Sequence, residues 1–238
     1  LNTFLYLKLT MNNVMIIGTS HIAKQSVNEI KTAVSTWKPD IIAIELDLQR
    51  AAALMSEKKS KISLAIILKI GVKGYLFAKV GQFVQQKLGK MVGVSPGSEM
   101  KEAMMLARKE KLEVAFIDQP IQITLKNFSK YLTWKEKFRF FWDMVKGLIT
   151  PRKQMKEMGL DKFDLTKVPG KEVVKKLVHQ MKKRYPNVYK ALVSDRNRYM
   201  VRNIIKILRK NPDKKILVVI GAGHEEGMRE LLLKVEVV

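Results

Sequence analysis

Four short apolar runs, at residues 14–18, 41–46, 113–118 and 216–221, constrain this chain more than any other feature of it. They are rich in Val and Ile and scarcely alternate. A strand with one wet face alternates; a strand buried on both faces need not, and such strands belong to parallel sheets covered by helices. The segments between them read as helices. Residues 26–37 put Val27, Ile30 and Val34 on one stripe and stop before Pro39. Residues 48–55 and 100–111 are helical in composition, 196–209 carry Ile204, Ile205 and Leu208, and 226–233 close the chain. The expectation is an α/β fold: a mostly parallel central sheet flanked by helices, as one domain over 1–238.

Two stretches interrupt the alternation, and both are basic. In residues 56–98, Lys61, Lys69, Lys73, Lys79, Lys87 and Lys90 fall within roughly 120° of one helical wheel, although Gly71, Gly74, Gly81 and Gly89 divide it. Residues 121–195 contain Trp134 and the run Phe138-Arg-Phe-Phe-Trp142. The net charge of +23 is concentrated late: residues 121–215 hold 26 Lys and Arg against 8 Asp and Glu. Both insertions are expected to be helical and to present a positive surface, either as helices packed on the core with solvated lysines outward or as a face suited to anionic lipid or an acidic partner. The basic residues match no nucleic-acid-binding motif, so nucleic acid is disfavoured. No secretory signal and no apolar stretch of spanning length is visible, so the expectation is the cytoplasmic side and not an integral membrane protein, with membrane association left open by the basic insertions. The absence of cysteine removes disulfides and thiolate chemistry together.

The chemistry concentrates on two histidines. Gly18-Thr-Ser-His21 and Gly221-Ala-Gly-His224 each follow an apolar run. In a parallel sheet, residues just past the strand ends line the crevice where ligands bind. Two such strands would bring both imidazoles to one rim, where neutral imidazole serves as metal ligand or proton carrier. Glu45 closes the second strand and can face the same rim; two histidines and a carboxylate form a known catalytic metal arrangement. Glycine three residues before each histidine is expected to let the chain turn sharply and to leave room for a ligand. His179, in a lysine-rich stretch, reads as surface.

These motifs stand in an order that resembles a family. Gly18-Thr-Ser-His21, then Lys38-Pro-Asp-Ile-Ile-Ala-Ile-Glu-Leu46 with Arg50, resembles the opening of the TraB (pheromone-shutdown) family. Ser95-Pro-Gly-Ser-Glu-Met100, Phe116-Ile-Asp118 with Ile123-Thr-Leu125, Asp195-Arg-Asn-Arg-Tyr-Met200 and Gly221-Ala-Gly-His224 resemble its later motifs. Gln119 stands where the family usually has arginine, and Asp195 and Asn197 replace a glutamate and an aspartate around Arg196. The family is grouped with Tiki proteins, described as metal-dependent peptidases, and with erythromycin-esterase-like proteins; members often carry C-terminal membrane segments.

The resemblance implies a divalent metal held by His21, His224 and Glu45, with zinc, manganese and cobalt not distinguished. It implies Glu45, Glu99, Arg50 and Arg196 as catalytic residues, Glu99 as a further ligand or base. Arg50, Asp118, Arg196 and Tyr199 would bind substrate. The function expected is a metal-dependent hydrolase, a peptidase acting on peptide or protein substrates; the alternative is a non-catalytic peptide-binding or sequestering module at a membrane surface. A homodimer is left open.

Overall fold

The structure is a computed structural model that describes residues 13–19, 23–56, 97–150 and 170–236. Four strands, β1 (Val14–Thr19), β2 (Ile41–Ile44), β3 (Glu113–Phe116) and β4 (Ile216–Gly221), form one sheet in the order β1-β4-β2-β3, every pairing parallel. The last strand in sequence thus enters between the first two. Ile41, Ile42, Ala43 and Ile44 are fully buried, as are Ile216 through Ile220, so the central strands have no wet face.

Helices cover both faces. On one side α1 (Ala23–Trp37), α2 (Leu48–Met55) and α3 (Ser98–Lys109) supply Ile30, Ala51, Ala103 and Met104 against Ile42, Ile44, Leu217 and Val219. After β3 come α4 (Ile121–Tyr131), α5 (Trp134–Ile149), α6 (Lys171–Arg184) and the short α7 (Pro186–Tyr189). A π-helical turn, Lys190–Ser194, leads directly into α8 (Asp195–Lys210). On the second face α8 and α9 (Ala222–Glu236) pack Met200, Ile204, Met228 and Leu232 on Ile16, Ile41, Val218 and Ile220. Each such aliphatic side chain stabilises the fold by about 1.5–3 kcal/mol on burial.

The described parts of the second basic insertion are helical, as the composition suggested. The first, 57–96, and His21 lie outside the described residues. No helix among the described residues is long and apolar enough to cross a membrane.

The topology locates the crevice. Chain leaving β2 passes to the α1–α2–α3 face, whereas chain leaving β4, its neighbour, enters α9 on the other face. Adjacent strands whose exits diverge leave a gap at their carboxyl ends, where open α/β sheets bind ligands. Glu45 follows β2 at this gap, and α9 with His224 begins there.

Candidate functional site

Each residue at the crevice is set by the element that delivers it. Glu45 is the first residue past β2, its side chain 10% exposed, and Oε2 accepts from the Gly221 N–H at the end of β4 at 2.7 Å. Asp47 caps α2, accepting from Arg50 N at 2.9 Å, the ordinary reason for an aspartate before a helix. Arg50, one turn in, returns its Nε to Asp47 at 2.7 Å and its Nη2 to Asp118 Oδ2 at 2.5 Å. Asp118 stands two residues past β3 with a fully buried side chain.

Arg196 joins these groups. It lies in the first turn of α8, immediately after the π turn. Its Nε reaches both Asp118 oxygens at 3.1 and 3.2 Å, and its Nη2 donates to Asp118 Oδ2 at 2.6 Å and to Glu45 Oε1. Its Nη1 donates to the Leu192 carbonyl at 3.2 Å and faces His224 Nε2 at 3.0 Å. A guanidinium has five N–H donors, and these contacts occupy all five. The π turn, where the Asp195 N–H reaches back to the Lys190 carbonyl, delivers the helix start and the Leu192 carbonyl together. Such wide turns recur at functional sites.

His224 is buried in the first turn of α9, earlier in the helix than the expected start at 226. Its Nδ1 lies 2.6 Å from Asn197 Oδ1, and its Nε2 lies 3.2 Å from Glu45 Oε1 as well as 3.0 Å from Arg196. Nε2 therefore faces one group that only donates and one that only accepts. Bare, it accepts from Arg196; protonated, it donates to Glu45.

The charges are set by this packing. Burial alone would raise the Glu45 pKa, but His224 when protonated, Arg196, and the bonds from His224 and the Gly221 N–H outweigh it. They hold the carboxyl well below its ordinary range. Burial would likewise lower the Arg196 pKa, and the Glu45 and Asp118 carboxylates raise it instead. Asp47, which burial would raise, is pulled down by its bonds to Arg50.

The sequence candidates thus divide. Glu45, Arg50, Asp118, Arg196 and His224 form one connected cluster. Tyr199 is half-buried on α8, one turn beyond Arg196. Glu99 is buried in the first turn of α3, after Gly97 at φ 80°. Two members were missed. Asp47 could have been read as the cap of α2, and Asn197 as a polar residue on the stripe of Met200, Val201, Ile204 and Leu208. The first glycine motif also works differently from expectation. Gly18 lies within β1 and makes no turn, and the room it leaves is taken by the side chain of Glu225, next to His224, whose carboxylate a Cβ there would displace. The two motifs stand on adjacent strands, with Gly18 paired to Ile220 and Thr19 to Gly221.

Among the described residues no three His, Asp or Glu side chains gather as a metal-binding group. The donors of Glu45 and His224 are nonetheless 3.2 Å apart, a separation two ligands of one small ion can share at bond lengths of about 2.0–2.2 Å. The cation between them here is the Arg196 guanidinium. A metal at that point would require Arg196 to withdraw towards Asp118, which it already holds through Nε and Nη2.

Comparison with known proteins gives the family. A model of the TraB/PrgY/gumN family matches residues 8–236, nearly the whole chain. The chain belongs to the TraB/PrgY/gumN family. It is 34% identical over 229 residues to an uncharacterized protein of Methanocaldococcus jannaschii, covering 94% of this chain and 54% of that one. It is 23% identical over 251 residues to the human TraB domain-containing protein, covering 92% of this chain and 62% of that one. The bovine TraB domain-containing protein is 24% identical over 247 residues. This TraB-family chain therefore spans a little over half the length of these relatives.

Proposed function

We propose that this TraB-family chain is a hydrolase acting on peptide substrates, with its reacting groups at the crevice between β2 and β4. One observation carries the reading: His224 Nε2 lies between the donor Arg196 and the buried, ionised Glu45, at the strand ends where ligands enter such sheets. Glu45 and His224 form the acid–base pair, moving a proton between water and the leaving group. Arg196 is a positioning residue, since its donors are consumed in holding Glu45 ionised and His224 in place. Arg50 is the more exposed of the two guanidinium groups, 30% against 15% for Arg196, and is the one to meet a substrate carboxylate.

In a metal-loaded form of the same site, Glu45 and His224 with His21 would serve as ligands in place of the acid–base pair, and the divalent metal would supply Lewis-acid activation of water or of the carbonyl. The alternative, a non-catalytic peptide-binding module, is favoured by the full engagement of Arg196, which gives the centre the character of a closed structural network. Digestion of a peptide library, read by mass spectrometry with and without zinc, manganese or cobalt, separates the two. Cleavage by the wild type and its loss in a folded His224→Ala variant supports the hydrolase. Peptide retention without cleavage supports the binding module.

A further inference from the structure

Helix α5 is oriented opposite to a helix of a water-soluble core. Its acidic face points inward: Glu136 and Asp143 are 3% and 8% exposed. Glu136 Oε1 accepts from the Asn187 N–H at 2.8 Å, and Asp143 is held by Arg184 and the Tyr185 hydroxyl. The capping box of Thr133 and Glu136 fixes where the helix starts. Its aromatic face points outward. Trp134, Phe138, Phe141 and Trp142, at i, i+4, i+7 and i+8, are 79%, 66%, 52% and 49% exposed.

The outward rings form a continuous patch. Phe138 and Phe141 meet Trp142 edge-on at centroid distances of 6.1 and 6.2 Å, and Lys137 Nζ lies 4.1 Å over the Trp134 ring. A surface groove runs between Trp134, Phe138, Phe141 and the cations Lys135, Lys137 and Arg139. Both acids of the helix are turned inward, and among its described side chains the outward ones are lysine, arginine and aromatic rings. The neighbouring α6, joined through the Asp143–Arg184 pair, ends in Lys182 and Lys183, which extend the positive field.

We propose that α5 is a docking surface for an anionic phospholipid bilayer, its aromatic face entering the headgroup region and its cations pairing with lipid phosphates. Apolar rings flanked by cations suit a surface that is greasy inside and negative outside. A protein partner fits less well, because it would have to offer both a large apolar pocket and a surrounding acidic rim, which a bilayer provides without specific design. This proposal stands independently of the hydrolase reading.

The test is co-sedimentation of the full chain with phosphatidylcholine vesicles, with and without phosphatidylglycerol. Binding should require phosphatidylglycerol and weaken steeply between about 0.05 and 0.5 M salt as the field is screened. Phe138→Ser with Phe141→Ser should weaken it by at least about tenfold, with unchanged circular dichroism. The chain has three tryptophans, so Trp37→Phe leaves Trp134 and Trp142 as reporters; brominated lipid should quench them, a readout that does not depend on the serine variants folding. No binding at low salt, binding indifferent to lipid charge, unchanged binding by the double variant, or unquenched tryptophans would overturn the proposal. Concentration-dependent self-association lost in the double variant, without vesicle binding, would assign the face to a second copy instead.

Discussion

His224 Nε2 stands 3.0 Å from Arg196 Nη1, an imidazole nitrogen facing a group that can only donate. In the neutral ring that nitrogen is bare, and the proton sits on Nδ1, toward Asn197 Oδ1 at 2.6 Å. Nitrogen-15 correlation spectra of the imidazole should show the Nδ1–H tautomer for neutral His224. Asn197→Ala, which removes the acceptor, should mix the tautomers. A pure Nε2–H tautomer in the wild type would contradict the placement of Arg196.

Arg196 should be the most sensitive charged position in the fold. Arg196→Ala leaves Glu45 and Asp118 without their shared counter-charge, and breaking a buried pair in this way costs roughly 3–5 kcal/mol. Arg196→Lys keeps the charge but has three donors where five are used, and should recover only part of that loss. Denaturant unfolding checks both. A lysine variant as stable as the wild type would show that the fork is not needed.

Stability should depend on pH through Glu45. Its carboxyl is held below its ordinary value of 4.5, so it contributes stability fully above that value. The contribution is lost progressively as pH falls from there through the folded pKa. Glu45→Gln lacks this dependence, while Asp47 and Asp143, also depressed, act in both proteins. Between neutral pH and pH 3 the wild type should therefore lose more unfolding free energy than the variant. Parallel curves would contradict it.

Gly227 offers a packing test. A Cβ there would stand 2.5 Å from Asn197 Nδ2, the side chain that orients His224. Exchanging a helical glycine for alanine ordinarily stabilises by about 1 kcal/mol. Gly227→Ala should forfeit that gain and be net destabilising, because Asn197 must move off His224. A rise in Tm by the full propensity gain would show that Asn197 moves freely.

The sheet was legible because burial on both faces leaves continuous apolar runs, and 41–46 and 216–221 carry that signature plainly. Glu45 and His224 were legible because strand ends in such a sheet face a crevice. The centrality of Arg196 was not, since it depends on β4 entering between β1 and β2, a long-range pairing that no local pattern encodes. Gly18 was misread for a related reason: its constraint comes from Glu225, more than two hundred residues away, and not from its own backbone. Asn197 looked like the neutral replacement of an acid, whereas its position on a buried stripe marked it as a partner for another buried polar group.

The pairing of Glu45 with His224 as reacting groups is tested most directly by the hydrolysis rate of Glu45→Gln, at matched folded fraction, on the best-cleaved library peptide. The substitution keeps the shape of the side chain and removes its charge and basicity. A fall in kcat of at least about 100-fold, with KM little changed, is the predicted result. Equal turnover by wild type and variant, or no cleavage by the wild type with any of the three metals, would contradict the account.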